Sequence, residues 1–311
     1  MQIQDLEVVL KVAELGSITA AAKQLDMQTA TASAAVKRVE AYIGAELFIR
    51  TTRQLRLSNV GERYIPQCQQ ALMGLDLARQ AVHQEQGIIS GEVRVAVSSD
   101  LGRNLVMPWI DDFLEAHPQV SVRAHLSDSN IDFYRDALDI AVRYGAPPDS
   151  SLYGFKICDV PRVLCASPEY LRRHVEPQTP SELKHHNGLF YQLQNILNDT
   201  WQFYDEQGVY KVKPNSNRSA NDGELVRRWC VAGKGIAVKS SLDIADDLLT
   251  GKLLPVMQNY QITMGELWLI YPSRQTITPT IRLLRDMFRE RTHALLSALI
   301  ERELLSKEAL S

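Results

Sequence analysis

Leu6, Val9, Leu10 and Ala13 recur at the three- and four-residue spacing that gives a helix one apolar face. Gly16-Ser17 ends that run, and Ser17 or Thr19 can cap the next helix. Ala20, Ala21, Ala22 and Leu25 form a short second helix whose small side chains let another helix cross closely. After the tight connection Asp26-Met27-Gln28, the spacing predicts a third helix from Thr29 to Tyr42, with Ala32, Val36 and Val39 turned inward and Gly44 as its stop. Leu47-Phe48-Ile49 and Leu55-Arg56-Leu57 are short extended runs on either side of Arg50-Thr51-Thr52-Arg53-Gln54, the pattern of a two-stranded wing with a basic tip.

From Ser58 to about Gln86 the helical period returns. Ile65, Cys68, Leu72, Leu75 and Val82 fall on heptad-like positions, broken by Arg79, which predicts a helix that pairs with another helix. Packing of this stripe on its own domain is the competing reading, and Pro66 near its start is placed to kink it. Gly87 and Ser90-Gly91 mark a linker, after which Val93, Val95 and Val97 alternate as in a strand. A helix from about Leu101 to Ala116, a strand over Val120–Leu126, a further helix and the strand Asp139–Arg143 follow. This alternation predicts a mostly parallel α/β sheet. A second lobe opens near Val163. It contains a hairpin turning at Glu206-Gln207-Gly208, and Leu267–Tyr271 then returns to the first lobe ahead of an amphipathic helix from about Pro279. Two lobes joined by crossing strands leave a cleft of the kind that binds small ligands.

The chain has 311 residues, 45% of them apolar and 23% charged, enough for two or three ordinary domains with a substantial core. No apolar run approaches the roughly 18 residues of a membrane span. The N-terminus lacks the charged-then-apolar pattern of a secretory signal, so a cytoplasmic location is expected. The net charge of −3 argues against a nonspecific nucleic-acid coat. Between Lys37 and Arg63, however, six basic residues face three acidic ones, and this local excess is the footprint of a phosphate-contacting module. Cys68, Cys158, Cys165 and Cys230 form no C-x-x-C pair and no zinc spacing, which predicts buried reduced thiols. A redox switch built on Cys158 and Cys165 is the sharper alternative. With no G-x-S-x-G elbow, G-x-G-x-x-G or Walker A pattern, the sequence predicts no catalytic residue, metal or cofactor. His185-His186 lies in a polar connecting stretch and reads as surface.

Three ordered stretches of the first 61 residues resemble the LysR-type transcriptional regulators. Gly16-Ser-Ile-Thr-Ala-Ala-Ala22 with Leu25 matches the family's Gly-Ser-Phe-Thr-x-Ala-Ala-x-x-Leu, with Ile18 in place of the aromatic. Ser33, Val36, Val39 and Glu40 match Ser-x-x-Ile-x-x-Leu-Glu, and Gly44–Arg50 with Leu57-Ser58 and Gly61 matches the Gly-x-x-Leu-Phe-x-Arg wing. Asp139–Gly145, Val163–Leu171, Thr179–Leu183 and Gly233–Ala237 extend the resemblance to about residue 300. It implies an α/β protein with a winged helix-turn-helix over 1–60, a dimerisation helix over 61–88 and a two-lobed effector domain like periplasmic binding proteins over 91–302. Lobe 1 would comprise 91–162 and 266–302, and lobe 2 would comprise 163–265. The implied partners are double-stranded promoter DNA, a small-molecule effector, RNA polymerase and further copies of the chain, as a homodimer or homotetramer.

The resemblance places the third helix in the major groove, with Gln28, Thr29, Thr31, Ser33 and Ala34 near base edges. Lys37, Arg38, Arg50, Thr52 and Arg53 would contact the backbone. The chain departs from the family here. Gln28-Thr29-Ala30-Thr31-Ala32 replaces Ser-Gln-Pro-Ala-Val, and Ala34-Ala35 give up polar readout in favour of methyl contacts and DNA shape. In the effector domain, Ser98-Ser99 follows a strand and opens a helix, which suits a carboxylate or similar anion. Carried over from the family, Ser127, Asp128, Tyr144, Ser167, Asn221 and Lys239 are candidates for the cleft walls. Capping and turn chemistry compete for the serines, Asp128 and Asn221. Lys239 stands where relatives carry an apolar residue, and either pairs with an anionic effector or reaches solvent. A solute-binding or catalytic α/β protein whose N-terminal helices only oligomerise it is the alternative function.

Overall fold

The computed structural model describes residues 1–50, 55–85, 89–129, 133, 136, 138–147, 151–193 and 196–306. The chain divides into two compact units, residues 1–87 and 88–311.

The N-terminal unit opens with α1 (Ile3–Leu15), whose first turn is closed by reciprocal bonds between Gln2 and Asp5. Its last turn ends at Gly16, whose φ of 59° is one that L side chains rarely adopt. Ser17 caps α2 (Ile18–Gln24) by accepting the Ala20 N–H. Ala21 and Ala22 are fully buried, and these small side chains let α2 lie close to its neighbours. On α3 (Thr29–Ile43), Ala32, Ala35, Val36 and Val39 complete a core with Val8, Val9 and Val12 of α1. A two-stranded hairpin follows, β1 (Phe48–Arg50) against β2 (Leu55–Leu57), with Phe48 opposite Leu57. The Glu40 carboxylate accepts the N–H groups of Leu47 and Phe48 and so fixes the entry to the hairpin.

The long helix α4 (Asn59–Glu85) starts tightly against that entry, and a Cβ on Gly61 would lie 2.3 Å from the Leu47 carbonyl oxygen. Its apolar stripe divides. Ile65 and Cys68 are buried in the core of this unit, whereas Leu75 and Val82 are 52% and 56% exposed. The reading in which the stripe packs on its own domain therefore holds for the first half of the helix.

The C-terminal unit contains a five-stranded sheet in the order β4-β3-β5-β16-β6. It comprises β3 (Gly91–Val97), β4 (Val120–Leu126), β5 (Ile140–Tyr144), β6 (Tyr153–Val160) and β16 (Gly265–Tyr271). β3 is parallel to β4 and β5, while β16 runs antiparallel to β5 and β6. Asp139, just ahead of β5, holds Arg94 of β3 by an ion pair of 2.7 Å. The helix expected from Leu101 to Ala116 is broken. α5 (Ser99–Leu101) passes through a π-helical turn, Gly102–Val106, into α6 (Met107–Ala116). Pro108 at the start of α6 has no N–H for the regular ladder, and the wider turn accommodates it. The helix expected before Asp139 falls largely outside the described residues.

Lobe 2 continues with β7 (Arg162–Ala166), α7 (Pro168–Arg173), β8 (Asn187–Leu193), β9 (Ile196–Leu197), β10 (Trp201–Asp205), β11 (Gly208–Val212) and β12 (Asn215–Ala220). It is completed by α8 (Gly223–Val231), β13 (Ala237–Ser240), α9 (Ala245–Leu249), β14 (Leu254–Pro255) and β15 (Gln261–Ile262). Three small sheets result, β12-β8-β9, β13-β7-β14 and β11-β10-β15. Among the described strands of this lobe, β12 and β8 pair in parallel, and the other strand pairs are antiparallel, as short hairpin and return connections favour. Helix α10 (Pro279–Glu301) comes after β16 and packs Phe288 near Trp109 of α6. Among the described residues, no helix is long and apolar enough to cross a membrane.

Candidate nucleic-acid interface and ligand site

The apolar side of α3 faces the core, and Gln28, Thr29, Ala30, Thr31, Ala34, Lys37 and Arg38 are exposed on its other side, with Ser33 partly so. Gln28 precedes the helix with extended backbone and makes no capping bond through its side chain. Arg38 has a partner that the sequence did not reveal. Its Nη2 and Nε bond both carboxylate oxygens of Asp5, at 2.5 and 3.3 Å, and Asp5 is 3% exposed. The guanidinium bonds hold the Asp5 carboxyl below its ordinary range. Arg38 thus ties α3 to α1 while its own side chain stays half exposed. Tyr42, four residues further on, is 69% exposed and was not singled out by apolar spacing. Arg50 ends β1 opposite Leu55, and Thr52 and Arg53 lie outside the described residues.

In the C-terminal unit several charged side chains are buried, among them Asp100, Lys239, Asp243 and Asp247. Strands β3, β4 and β5 end side by side, which brings together Ser98-Ser99, Ser127-Asp128 and Arg143-Tyr144. The amide and hydroxyl of Ser99 both donate to Asp128, each at 2.7 Å, and the Gly223 amide of α8 donates to the same carboxylate at 2.9 Å. An internal carboxylate therefore occupies the place where the sequence suggested an external anion. Asp128 bridges the first lobe to α8 of the second.

Lys239 is also committed internally. It is buried and bonds Asp100 and the Gly223 carbonyl oxygen, so of the two expectations the one that it reaches solvent is corrected. Burial alone would lower its pKa, but the Asp100 charge outweighs this and raises it. Asp100 and Glu224 share the amide of Asn104, and Arg227 bonds Asp247 at 2.6 and 2.8 Å. Burial would raise Glu224, yet bonds from Asn104 and Arg228 hold it below its ordinary value. Tyr144 donates to Asp243 at 2.6 Å and accepts from Ser240 at 2.7 Å. Burial pushes the Asp243 carboxyl up to about 8.

The remaining candidates separate. Ser127 bonds Ser129, and Asn221 is exposed in the loop before α8. Ser167 is 2% exposed and caps α7 by accepting the Tyr170 N–H, which makes it a structural cap. Sequence reasoning missed Asp100, Arg143, Gly223 and Asp243. Their partners lie as far as 139 residues away in the chain, and no local period signals such pairings.

His186 is buried rather than on the surface, with its Nδ1 3.2 Å from the Tyr170 hydroxyl. Cys165 lies 3.9 Å from Cys230, not with Cys158, in a fully buried contact. The bond to Cys230 and burial raise the Cys165 thiol, and burial pushes Cys158 up to about 11. Protonated buried thiols are poor nucleophiles, which argues against the paired switch. An open recess of about 550 Å³ at the β10–β11 turn is lined by Tyr204, Asp205 and Gln261 among others. The Asp205 carboxylate is already bonded by Gln207, Gly208 and Tyr210 of its own hairpin.

Comparison with known proteins gives two family matches. Residues 3–62 match the bacterial regulatory helix-turn-helix protein, lysR family, and residues 86–293 match the LysR substrate binding domain. The chain is 34% identical over 255 residues to the HTH-type transcriptional regulator CrgA of Neisseria meningitidis serogroup C, covering 82% of this chain and 84% of that one. It is 28% identical to the HTH-type transcriptional activator TtdR of Escherichia coli K12, over 86% of each chain. Among solved structures, CrgA of Neisseria meningitidis matches at 30% identity and a TM-score of 0.60, over 94% of this chain and 99% of that one.

Proposed function

The chain belongs to the LysR family of transcriptional regulators, and from that membership we propose how its own residues divide the work. The family is non-enzymatic; its members bind DNA and small-molecule effectors and form oligomers. In this chain the exposed side of α3 enters the major groove. Gln28, Thr29, Thr31, Ser33 and Ala34 face base edges, and Lys37, Arg50, Thr52 and Arg53 contact the backbone. Arg38 sets the angle of α3 through Asp5. The observation that carries this reading is the division of α3 itself, with buried Ala and Val on one side and short polar, methyl-bearing and basic residues exposed on the other.

Residues 61–88 pair with a second copy of the chain through the exposed half of α4, where Leu75 and Val82 are each more than half exposed. Residues 91–302 bind a small organic effector where the two lobes meet, around Ser98, Asp128 and Tyr144. Ser99, Lys239, Ser167 and Asn221 support or border that place. The effector acts by favouring one arrangement of the lobes. The protein works in the cytoplasm, on promoters, with RNA polymerase as the downstream partner.

The test is binding of the full chain to DNA from upstream of its own gene, titrated across salt concentrations. Binding that weakens steeply with salt and prefers this DNA over a scrambled fragment is the expected result. Absent or salt-insensitive binding contradicts it.

A further inference from the structure

A helix seated in a groove about 12 Å wide presents its two flanks to the two phosphate backbones. On α3 a carboxylate lies against each flank. On the hairpin side, Glu40 accepts the N–H groups of Leu47 and Phe48 and serves the main chain. On the α1 side, Asp5 serves an arginine, Arg38.

The Arg38–Asp5 pair is asymmetric. The Asp5 side chain is 3% exposed and that of Arg38 is 51% exposed, so the acid lies beneath the base. Asp5 also accepts the Gln2 N–H at 2.9 Å, which fixes the carboxylate independently of the arginine. Arg38 Nε and Nη2 bond its two oxygens side by side, at 3.3 and 2.5 Å. A guanidinium carries five N–H donors in one plane. Those on Nη1 and the second on Nη2 have no hydrogen-bond partner among the described residues. An unsupported exposed arginine gives up rotamer freedom when it binds phosphate, whereas one already held over a carboxylate gives up less. By charge alone, removing an acid beside a polyanion site strengthens binding. Orientation of the fork acts in the opposite direction.

We infer that Asp5 is a positioning residue for DNA binding, which fixes the Arg38 guanidinium so that its outward N–H groups take a backbone phosphate. This rests on the placement of α3 in the major groove. Asp5 itself touches no DNA. A phosphate contact positions without reading bases, so the contribution of the pair falls on all sequences alike. Setting the angle of α3 alone would act instead through the base contacts, and therefore on the preferred DNA.

The experiment measures binding of the full-length protein to labelled DNA from upstream of its own gene, and to a scrambled fragment of equal composition, by fluorescence anisotropy across salt concentrations. Asp5→Asn keeps an oxygen for the Gln2 N–H and removes the charge. It should weaken binding to both DNAs about fivefold, although it takes a negative charge away. Arg38→Gln should weaken both about tenfold and lower the salt slope by about one. Adding Asp5→Asn to Arg38→Gln should cost little more, because the two act as a unit. Arg38→Lys keeps the charge but loses the fork, and should weaken both DNAs about threefold with the salt slope retained. It remains informative if Arg38→Gln, which leaves a buried carboxylate without its cation, does not fold. Binding by Asp5→Asn as tight as wild type or tighter overturns the inference. A loss confined to the DNA from its own gene does so too, since that is the signature of helix angle alone, as do fully additive losses in the double variant. With steep salt dependence in wild type, these results leave the major-groove placement of α3 standing. Salt-insensitive binding by wild type overturns both.

Discussion

The two units of this chain treat charge in opposite ways. In the N-terminal unit a core of valines and alanines holds three short helices, and the exposed side of α3 carries Thr31, Ala34 and Lys37. Asp5, buried beneath Arg38, is the charged exception. In the C-terminal unit the meeting of the lobes is built from buried charges. Lys239 bonds Asp100, Arg227 bonds Asp247, and Asp128 is shared between Ser99 and Gly223. A surface that reads a polyanion keeps its donors outside, where water solvates them until phosphate replaces it. A sensor benefits from interior polar groups, because exchanging the partners of a desolvated group has a large energetic effect.

That contrast is most open to attack at Lys239. Lys239→Met leaves Asp100 buried without its cation and is expected to destabilise the protein by about 3–5 kcal/mol in urea unfolding. Combining it with Asp100→Leu should recover much of the loss. Additive losses would show that the two residues do not act as a pair. Asp243→Asn is the next largest. The folded chain holds a proton on Asp243 up to about pH 8, whereas the unfolded chain releases it near 3.8. Stability therefore falls as pH rises between those values, and the cost is absent below the lower one. The amide should remove this slope and stabilise the protein by about 2 kcal/mol above about pH 8, measured by unfolding across pH.

In the N-terminal unit the expected effects are smaller. Ser17→Ala removes the cap of α2 and should cost about 1 kcal/mol in denaturant unfolding. Lys37→Ala should leave stability unchanged, weaken cognate and scrambled DNA alike, and reduce the salt slope by about one. A change in stability as large as that from Ser17→Ala would mean that Lys37 is part of the fold rather than of the interface.

Much of the fold was legible in the sequence. The third helix, the 201–212 hairpin, the returning strand at Leu267–Tyr271 and the long last helix follow from apolar period and from Gly, Ser and Pro stops. What escaped depends on distance in the chain. Arg38 and Asp5 are 33 residues apart, and Ser99 and Asp128 are 29 apart, so neither pairing leaves a periodic trace. The π-helical turn at Gly102–Val106 was hidden because Pro108 reads equally well as a residue of the first helical turn. The residues proposed to face the bases were legible as departures from the LysR pattern.

The central claim is that the exposed side of α3 reads DNA sequence. The direct measurement is the base-preference profile of Thr31→Val against wild type, obtained by selecting bound DNA from a random pool. The account predicts a preference altered by about tenfold at one or two adjacent base pairs, with the rest of the profile retained. An unchanged profile, or a uniform loss at every position, would contradict it.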